Sequence, residues 1–261
     1  IDLVIVNFYP FERILDKIND HKAIIENIDI GGPAMVRAAA KNYNDVTIIT
    51  SIKQYQSLID QINTHNCSTT LEFRERLSEE AFMNTAYYDA VISKYFNDKS
   101  KNYFPSKKII FANLVDNLRY GENPHQKAFW YGLNNIGWNS AEQLQGKELS
   151  YNNLLDLESA LSTVLEFGYE EKNDLTTKTF ASVILKHNNP CGASLSNSAS
   201  KAFLNALECD SVSAFGGIVA FNSNVDSKTA IHLKDIFLEC VVAPSFDEEA
   251  LEILKVKKNL R

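Results

Sequence analysis

Residues 181–192 read A-S-V-I-L-K-H-N-N-P-C-G, and this stretch says most about the fold. It begins with a short apolar, β-branched run, which is typical of a buried strand. Polar and turn-forming residues follow, and the Asn-Pro pair and Gly192 predict that the chain turns there. Because α/β sheets present chemical groups at the carboxyl ends of their strands, the stretch predicts such a sheet with a functional loop after this strand.

Lys186 and His187 stand side by side where the predicted strand ends. A neutral imidazole accepts a proton near physiological pH, and the positive charge of an adjacent ammonium favours that neutral form. The ammonium could also stabilise an oxyanion. The pair is therefore a candidate for general-base catalysis, although Lys and His also occur together in ordinary solvated loops.

A zinc site is the alternative for this stretch, because Pro190-Cys191 near a His resembles part of the zinc deaminase signature. That signature also needs a Glu two residues after the His and a second Cys three residues after the first. Asn189 and Ser194 occupy those two positions. The second thiolate and the carboxylate are missing, so no metal is predicted.

The composition is that of a soluble globular protein with one large or two ordinary domains. Of the 261 residues 45% are hydrophobic, and no apolar run approaches the roughly 18 residues of a membrane span. The net charge of -7 argues against broad nucleic-acid or membrane binding and fits small phosphorylated metabolites held by local groups. Four scattered cysteines without a C-x-x-C pair fit free thiols in a reducing cytoplasm. The first residues are already strand-like, which predicts that the chain begins inside a domain.

The N-terminal part predicts a βαβ arrangement, and hence a parallel sheet covered by helices. Residues 2–11 read as an apolar strand, and helical periodicity covers residues 14–25. Residues 31–42 predict a Gly-Gly turn followed by an Ala-rich helix, and residues 45–50 predict a second buried strand. The Gly-Gly turn resembles a phosphate cradle but lacks the G-x-G-x-x-G and Walker patterns.

Further along, a helical stripe of apolar residues covers residues 71–96 and is interpreted as core packing. The only clear linker-like composition lies at residues 97–108, where we predict a domain boundary. An amphipathic helix is predicted through Phe167. A strand is predicted after the Gly-Gly pair at 216–217, and another short apolar run ends at Pro244.

Eight motifs, taken in order, resemble the bifunctional family of purine biosynthesis that combines AICAR formyltransferase (AICAR transformylase) with IMP cyclohydrolase. The motifs are N-F-Y-P-F (7–11), D-I-G-G-P (29–33), R-A-A-A-K-N (37–42), R-Y-G-E-N-P-H-Q (119–126), L-S-Y-N-N (149–153), L-K-H-N-N-P-C-G (185–192), S-A-F-G-G (213–217) and V-A-P-S (242–245). They extend over nearly the whole chain. The resemblance implies that the chain covers roughly the middle half of the family's length.

The resemblance implies an α/β fold with two domains. Residues 1–103 are expected to be the C-terminal portion of a methylglyoxal-synthase-like, parallel-sheet IMP cyclohydrolase domain. Residues 104–111 are then a linker, and residues 112–261 the N-terminal portion of a cytidine-deaminase-like AICAR transformylase domain. The implied reactions are formyl transfer from the cosubstrate 10-formyltetrahydrofolate to the 5-amine of AICAR, and ring closure of formyl-AICAR to IMP with loss of water. Each family site also uses residues outside this chain, so the 261-residue piece alone is expected to be inactive.

The resemblance also implies roles for particular residues. For formyl transfer, His187 matches the general base that takes a proton from the 5-amine, and Lys186 the neighbour that supports the developing charge. For cyclisation, Tyr9, Asp29 and Lys41 match catalytic or orienting residues. Substrate-binding positions are implied at Asn7, Ile30, Gly31, Arg119, Tyr120, Gly216 and Glu239.

The implied protein is a cytoplasmic homodimer that binds AICAR and formyl-AICAR and neither nucleic acid nor membrane. The alternative is a nucleotide-binding regulatory module without catalysis, because methylglyoxal-synthase-like domains also serve as effector sites and the chain carries only part of each catalytic set. The Lys186-His187 pair distinguishes these hypotheses, since a purely regulatory module would not need it.

Overall fold

A computed structural model describes residues 1–133, 137–168 and 179–261, which form two compact units, Ile1–Phe111 and Ala112–Arg261. The elements of the N-terminal unit are β1 (Leu3–Ile5), α1 (Phe11–Leu15), α2 (His21–Glu26), α3 (Gly31–Lys41), β2 (Thr47–Ile49), α4 (Tyr55–Thr64) and α5 (Leu71–Ser100). Those of the C-terminal unit are β3 (Asn113–Leu118), β4 (Ala128–Gly132), α6 (Tyr151–Leu165), β5 (Phe180–Lys186), β6 (Asn189–Ser196), α7 (Ala199–Cys209), β7 (Gly217–Phe221), α8 (Ser227–Asp235), β8 (Leu238–Val242) and α9 (Glu248–Leu254). Within the described ranges, no helix has both the length and the apolar character that crossing a membrane requires.

In the N-terminal unit, β1 and β2 pair in parallel, as the βαβ pattern predicted. The connection between them contains the Ala-rich helix α3. Its small and branched residues Val36 and Ala40 pack against Ile48 of β2 and Leu77 of α5. All four side chains are buried, which explains the apolar character of each segment.

One predicted helix of this unit is wrong, and another extends further than its apolar pattern. The periodic segment at 14–25 is not one helix but the end of α1 and most of α2, because the Asp20 carboxylate accepts the N–H of Ala23 at 2.9 Å and starts a new helix. Helix α5 continues to Ser100 and ends at Lys101, whose φ of 54° is left-handed. The linker-like composition therefore begins inside a helix.

The C-terminal unit contains a mixed four-stranded sheet in the order β6-β5-β7-β8. Strand β5 is antiparallel to both of its neighbours, and β7 is parallel to β8. Val183 and Leu185 face α6, whereas Ile184 faces the other side of the sheet, which α7, α8 and α9 cover. Both faces of β5 are buried, which accounts for the apolar run Val183–Leu185 in the sequence.

The predicted loop after β5 is wrong in part. Residues 189–196 form strand β6, which returns along β5 at the edge of the sheet. Pro190 lies at a register shift, where Ile184 pairs with Gly192 and Leu185 pairs with Pro190. An edge strand with a bulge tolerates a residue without an N–H, so the Asn-Pro signal did not exclude a strand.

The sequence did not reveal the antiparallel hairpin of β3 and β4. Leu114 of β3 is opposite Tyr131 of β4, and Asn117 is opposite Phe129. Most side chains of β3 are exposed, so the strand lacks the buried apolar run that guided the other predictions.

Gly192 provides a test of the packing between β6 and α7. A Cβ at this position would lie 1.9 Å from the backbone oxygen of Ala206 in α7. Gly192→Ala must therefore push the helix away from the sheet, and we expect it to lower the free energy of unfolding by about 1–3 kcal/mol. Urea unfolding measures the loss. Gly31→Ala is the matched control, because a Cβ on Gly31 meets no atom within 4 Å. Equal stability of the two variants would contradict this packing.

Candidate active sites

The Lys-His pair lies at a tight turn between β5 and β6. His187 and Asn188 connect the two antiparallel strands, and their φ angles are 52° and 60°. Positive φ at both central residues is the geometry of the two-residue hairpin whose twist matches that of its strands. His187 is exposed at the tip of this hairpin.

Lys186, the last residue of β5, reaches the connection that leads into β7. Its Nζ donates a hydrogen bond to the carbonyl oxygen of Phe215 at 2.6 Å. Gly216 follows with a φ of 72°, and its N–H donates to the carbonyl oxygen of Phe237 at 2.7 Å. The structure therefore brings the predicted site residues Lys186 and Gly216 together. An ammonium has three donors, and the bond to Phe215 uses one of them.

Glu239, the second residue of β8, lies at the same end of the sheet as Lys186 and Gly216. Strand β5 ends there, whereas β7 and β8 begin there, because β7 is antiparallel to β5 and parallel to β8. The rule for parallel sheets, by which the carboxyl ends of strands carry the site, thus holds for β5 alone.

The Glu239 carboxylate has two side-chain partners. Its Oε2 accepts a hydrogen bond from Nδ2 of Asn153 at 2.7 Å and lies 3.7 Å from Nη1 of Arg261. The Arg261 side chain is only 5% exposed, whereas that of Glu239 is 38% exposed. The carboxylate is therefore held in place on one side while part of it remains accessible to a ligand.

Arg119 and Tyr120 form a pair of their own. Nη2 of Arg119 donates to the Tyr120 hydroxyl at 3.0 Å, and the guanidinium carbon lies 4.7 Å from the centre of the Tyr120 ring. Backbone hydrogen bonds from Arg119 to Leu149 and from Tyr151 to Tyr120 attach this loop to the start of α6. The pair thus has a fixed position relative to that helix.

Helix α6 connects these groups, and none of the predicted site residues belongs to it. Ser150 and Asn153 form a capping box at its first turn. Asn153 then binds Glu239, and Oδ1 of Asp156 accepts the N–H of Asn188 at 2.8 Å. The capping pattern S-Y-N-N was a readable signal for the helix start. A spacing of three residues places Asn153 and Asp156 on neighbouring positions of one helix face.

In the N-terminal unit, Asp29 and Tyr9 lie together at the start of α3. Oδ1 of Asp29 accepts the N–H of Gly32 at 2.7 Å, and Oδ2 accepts the N–H of Tyr9 at 3.4 Å. The N–H of Asp29 donates to the Tyr88 hydroxyl at 2.8 Å. Burial raises the pKa of Tyr88, so this phenol keeps its proton. Tyr88 belongs to the apolar stripe of residues 71–96, and nothing in that stripe indicates this contact.

The other predicted residues of this unit are distributed along α3 and beside it. Ile30 and Gly31 are exposed at its start, whereas Lys41 is its last residue, about 15 Å further along at 1.5 Å per residue. The structure therefore does not bring Lys41 next to Asp29. Gly31, Ala34, Ala38 and Lys41 are exposed and fall on one face of the helix. Separately, Nδ2 of Asn7 donates to the Tyr55 hydroxyl at 3.2 Å.

The cysteines near the hairpin are poor candidates for thiolate chemistry. Sγ of Cys191 donates to the carbonyl oxygen of Ile184 at 3.4 Å, and burial raises the pKa of this thiol. Burial raises the pKa of Cys240 to about 12. Metal ligation needs the thiolate, which a raised pKa disfavours. In the part of the chain that the structure describes, no three His, Cys, Asp or Glu side chains form a group that could hold a metal ion.

Known proteins match this chain closely. Residues 39–261 match the family described as "AICARFT/IMPCHase bienzyme". The protein named "Bifunctional purine biosynthesis protein PurH" is 69% identical over 261 residues in Prochlorococcus marinus subsp. pastoris and 68% identical in Prochlorococcus marinus strain MIT 9301. Its counterpart in strain NATL2A is 52% identical over 267 residues. Each match covers 100% of this chain and 50% of the relative, so the chain spans about half the length of these curated relatives.

Proposed function

The chain belongs to the AICARFT/IMPCHase bienzyme family, and on this premise we propose that its full-length gene product catalyses the last two steps of IMP synthesis. The first step transfers a formyl group from 10-formyltetrahydrofolate to the 5-amine of AICAR. The second closes the ring of formyl-AICAR to give IMP and water. The relatives named PurH, up to 69% identical over the whole chain, support this proposal.

The observation that carries the proposal is the convergence of one set of groups on α6. The helix start holds the Arg119-Tyr120 loop, Asn153 holds Glu239, and Asp156 holds the hairpin that bears His187. A guanidinium, a phenol and a carboxylate suit a small anion with amide and amine groups. A base and an ammonium beside them suit proton transfer and charge stabilisation.

In the proposed formyl transfer, His187 takes a proton from the 5-amine as the nitrogen attacks the formyl carbon. The Lys186 ammonium stabilises the negative charge that develops on the formyl oxygen. The bond between the formyl carbon and the folate nitrogen then breaks, and the proton held by His187 passes to that nitrogen. Atoms and charge balance, because the base is regenerated and one hydrogen has been exchanged for a formyl group.

In the proposed cyclisation, the N-terminal unit binds formyl-AICAR along the exposed face of α3 between Gly31 and Lys41. The carboxamide nitrogen attacks the formyl carbon, and one of its protons passes to the tetrahedral oxyanion to give a hydroxyl. That hydroxyl leaves as water with the proton of the formamide nitrogen. Ile30 and Gly31 offer an open surface beside backbone N–H groups. Asn7 follows β1 in the same unit. Asp29 and Tyr9 orient this region through their contacts, and Lys41 offers a positive charge on the same helix face as Gly31.

We propose the domain assignment that the resemblance implies: a methylglyoxal-synthase-like cyclohydrolase portion at 1–103, a linker at 104–111 and a cytidine-deaminase-like transformylase portion at 112–261. The division of the chain between Phe111 and Ala112 is consistent with it. A cytoplasmic homodimer that acts on small nucleotides, without nucleic acid or membrane, is proposed on the same basis. The formyl donor 10-formyltetrahydrofolate is proposed from the family.

The proposal is tested by incubating the full-length gene product with AICAR and 10-formyltetrahydrofolate and measuring IMP by chromatography. Supplying formyl-AICAR instead isolates the cyclisation step. We expect IMP in both assays. Nucleotide binding without turnover in either assay would overturn the proposal and favour a regulatory module.

A further inference from the structure

We propose that Asp156 is a positioning residue for formyl transfer, which holds His187 in place relative to bound AICAR. This inference rests on the proposed function and deepens it. It starts from the shape of the hairpin tip, where two successive residues other than glycine have positive φ angles. Positive φ is uncommon for residues other than glycine, although His and Asn adopt it several times more often than most. Contacts with a neighbouring element then determine how firmly the tip keeps this conformation.

The contacts come from α6, and they all end on Asn188. Oδ1 of Asp156 accepts the backbone N–H of Asn188 at 2.8 Å. When the side-chain amide of Asn188 is oriented with its nitrogen toward α6, that nitrogen donates to the same Oδ1 and to Oγ of Ser159, each at 3.1 Å. Asp156 thus receives two hydrogen bonds from the residue next to His187. A charged acceptor makes these bonds stronger than neutral ones.

The same helix also holds the opposite wall of the site. Asn153, three residues before Asp156, binds Glu239 at 2.7 Å. Beyond Asp156, Leu157, Ala160 and Val164 bury α6 against the sheet. The helix is therefore a rigid spacer between a proposed AICAR contact and the proposed base. Asp156 sets the position of His187 along that spacer.

Loss of Asp156 should affect the chemical step more than binding. The AICAR contacts at Arg119, Tyr120 and Glu239 do not depend on the hairpin bonds, whereas the imidazole must reach the 5-amine with correct geometry. A misplacement of about 1 Å costs on the order of 10²-fold in rate. For Asp156→Ala we therefore expect kcat for formyl transfer to fall about 10- to 100-fold, with the KM for AICAR changed less than about threefold.

The test uses the full-length gene product and compares three variants. Asp156→Asn keeps a carbonyl oxygen at the Oδ1 position and should restore most of the kcat that Asp156→Ala loses. Glu158→Ala is the matched control. It removes another carboxylate of α6, which accepts a hydrogen bond from Trp138 instead of one from the hairpin. Its kcat should stay near that of the natural protein. Far-UV circular dichroism and a thermal unfolding curve, measured on each sample, report that the C-terminal unit is folded. If Asp156→Ala does not fold, Asp156→Ser replaces it, and we expect it to lower kcat for formyl transfer by a smaller but measurable factor.

The outcomes separate this inference from the proposed function. Absence of formyl transfer in the natural protein would refute the function itself. Normal transfer in the natural protein, together with an unchanged kcat in Asp156→Ala, would refute only the positioning role. The same conclusion would follow if Glu158→Ala lost as much activity, if KM rose as much as kcat fell, or if Asp156→Asn gave no rescue.

Discussion

Replacement of His187 by alanine is expected to reduce formyl transfer to AICAR by about 10²- to 10⁴-fold, the usual contribution of a positioned general base. The 5-amine is a poor nucleophile, so the step depends on removal of its proton. His187 is exposed at the hairpin tip and is absent from the buried cores, so the loss should occur without unfolding. Initial rates with AICAR and 10-formyltetrahydrofolate, on the full-length gene product, measure the effect.

The backbone at His187 calls for a second variant. Alanine is strained at a φ of 52°, whereas asparagine is enriched in this region. His187→Asn therefore keeps the turn while it removes the base, and it should lose as much formyl transfer as His187→Ala. Cyclisation of supplied formyl-AICAR should stay nearly unchanged in both variants. A parallel loss of both activities at unchanged stability would contradict the proposed separation of the two domains.

The elements that sequence predicted best are those whose residues face a core on a regular period. Strand β5 is readable because burial on both faces leaves mostly apolar residues from Ala181 to Leu185, with the buried Ser182 as the exception. Helix α3 was readable from the Gly-Gly-Pro start and the alanines that follow. In both cases one local pattern and the tertiary packing point to the same structure.

The parts that sequence missed depend on partners far along the chain. Asp156 is paired with a residue 32 positions away and Asn153 with one 86 positions away. No local pattern carries such pairings. The hairpin of β5 and β6 is predicted as a loop for a different reason, because Asn, Pro and Gly are common in loops. Here Asn188 lies in the turn, Pro190 lies at the bulge, and Gly192 lies against α7. The proposed roles of Arg119 and Glu239 came from the family resemblance.

The second large effect is expected at Lys41. The side chain is exposed at the C-terminal end of α3, where a cation interacts with the helix dipole. If this were its only role, Lys41→Met would cost about 0.3–1 kcal/mol of stability and would leave turnover unchanged. The proposed cyclohydrolase role adds a charge that stabilises the oxyanion, a contribution worth about 10²–10³ in turnover.

We therefore expect Lys41→Met to lower the rate of cyclisation of formyl-AICAR by about 10²- to 10³-fold, with a nearly unchanged melting temperature and unchanged formyl transfer. The distance from Gly31 means that Lys41 acts on a different part of the bound nucleotide from Asp29, along the exposed face that Ala34 and Ala38 leave uncrowded. Lys17→Met, which removes another exposed cation of the same unit, is the matched control and should keep full turnover. Normal cyclisation in Lys41→Met would remove this residue from the site and leave it the role of a helix-terminal cation.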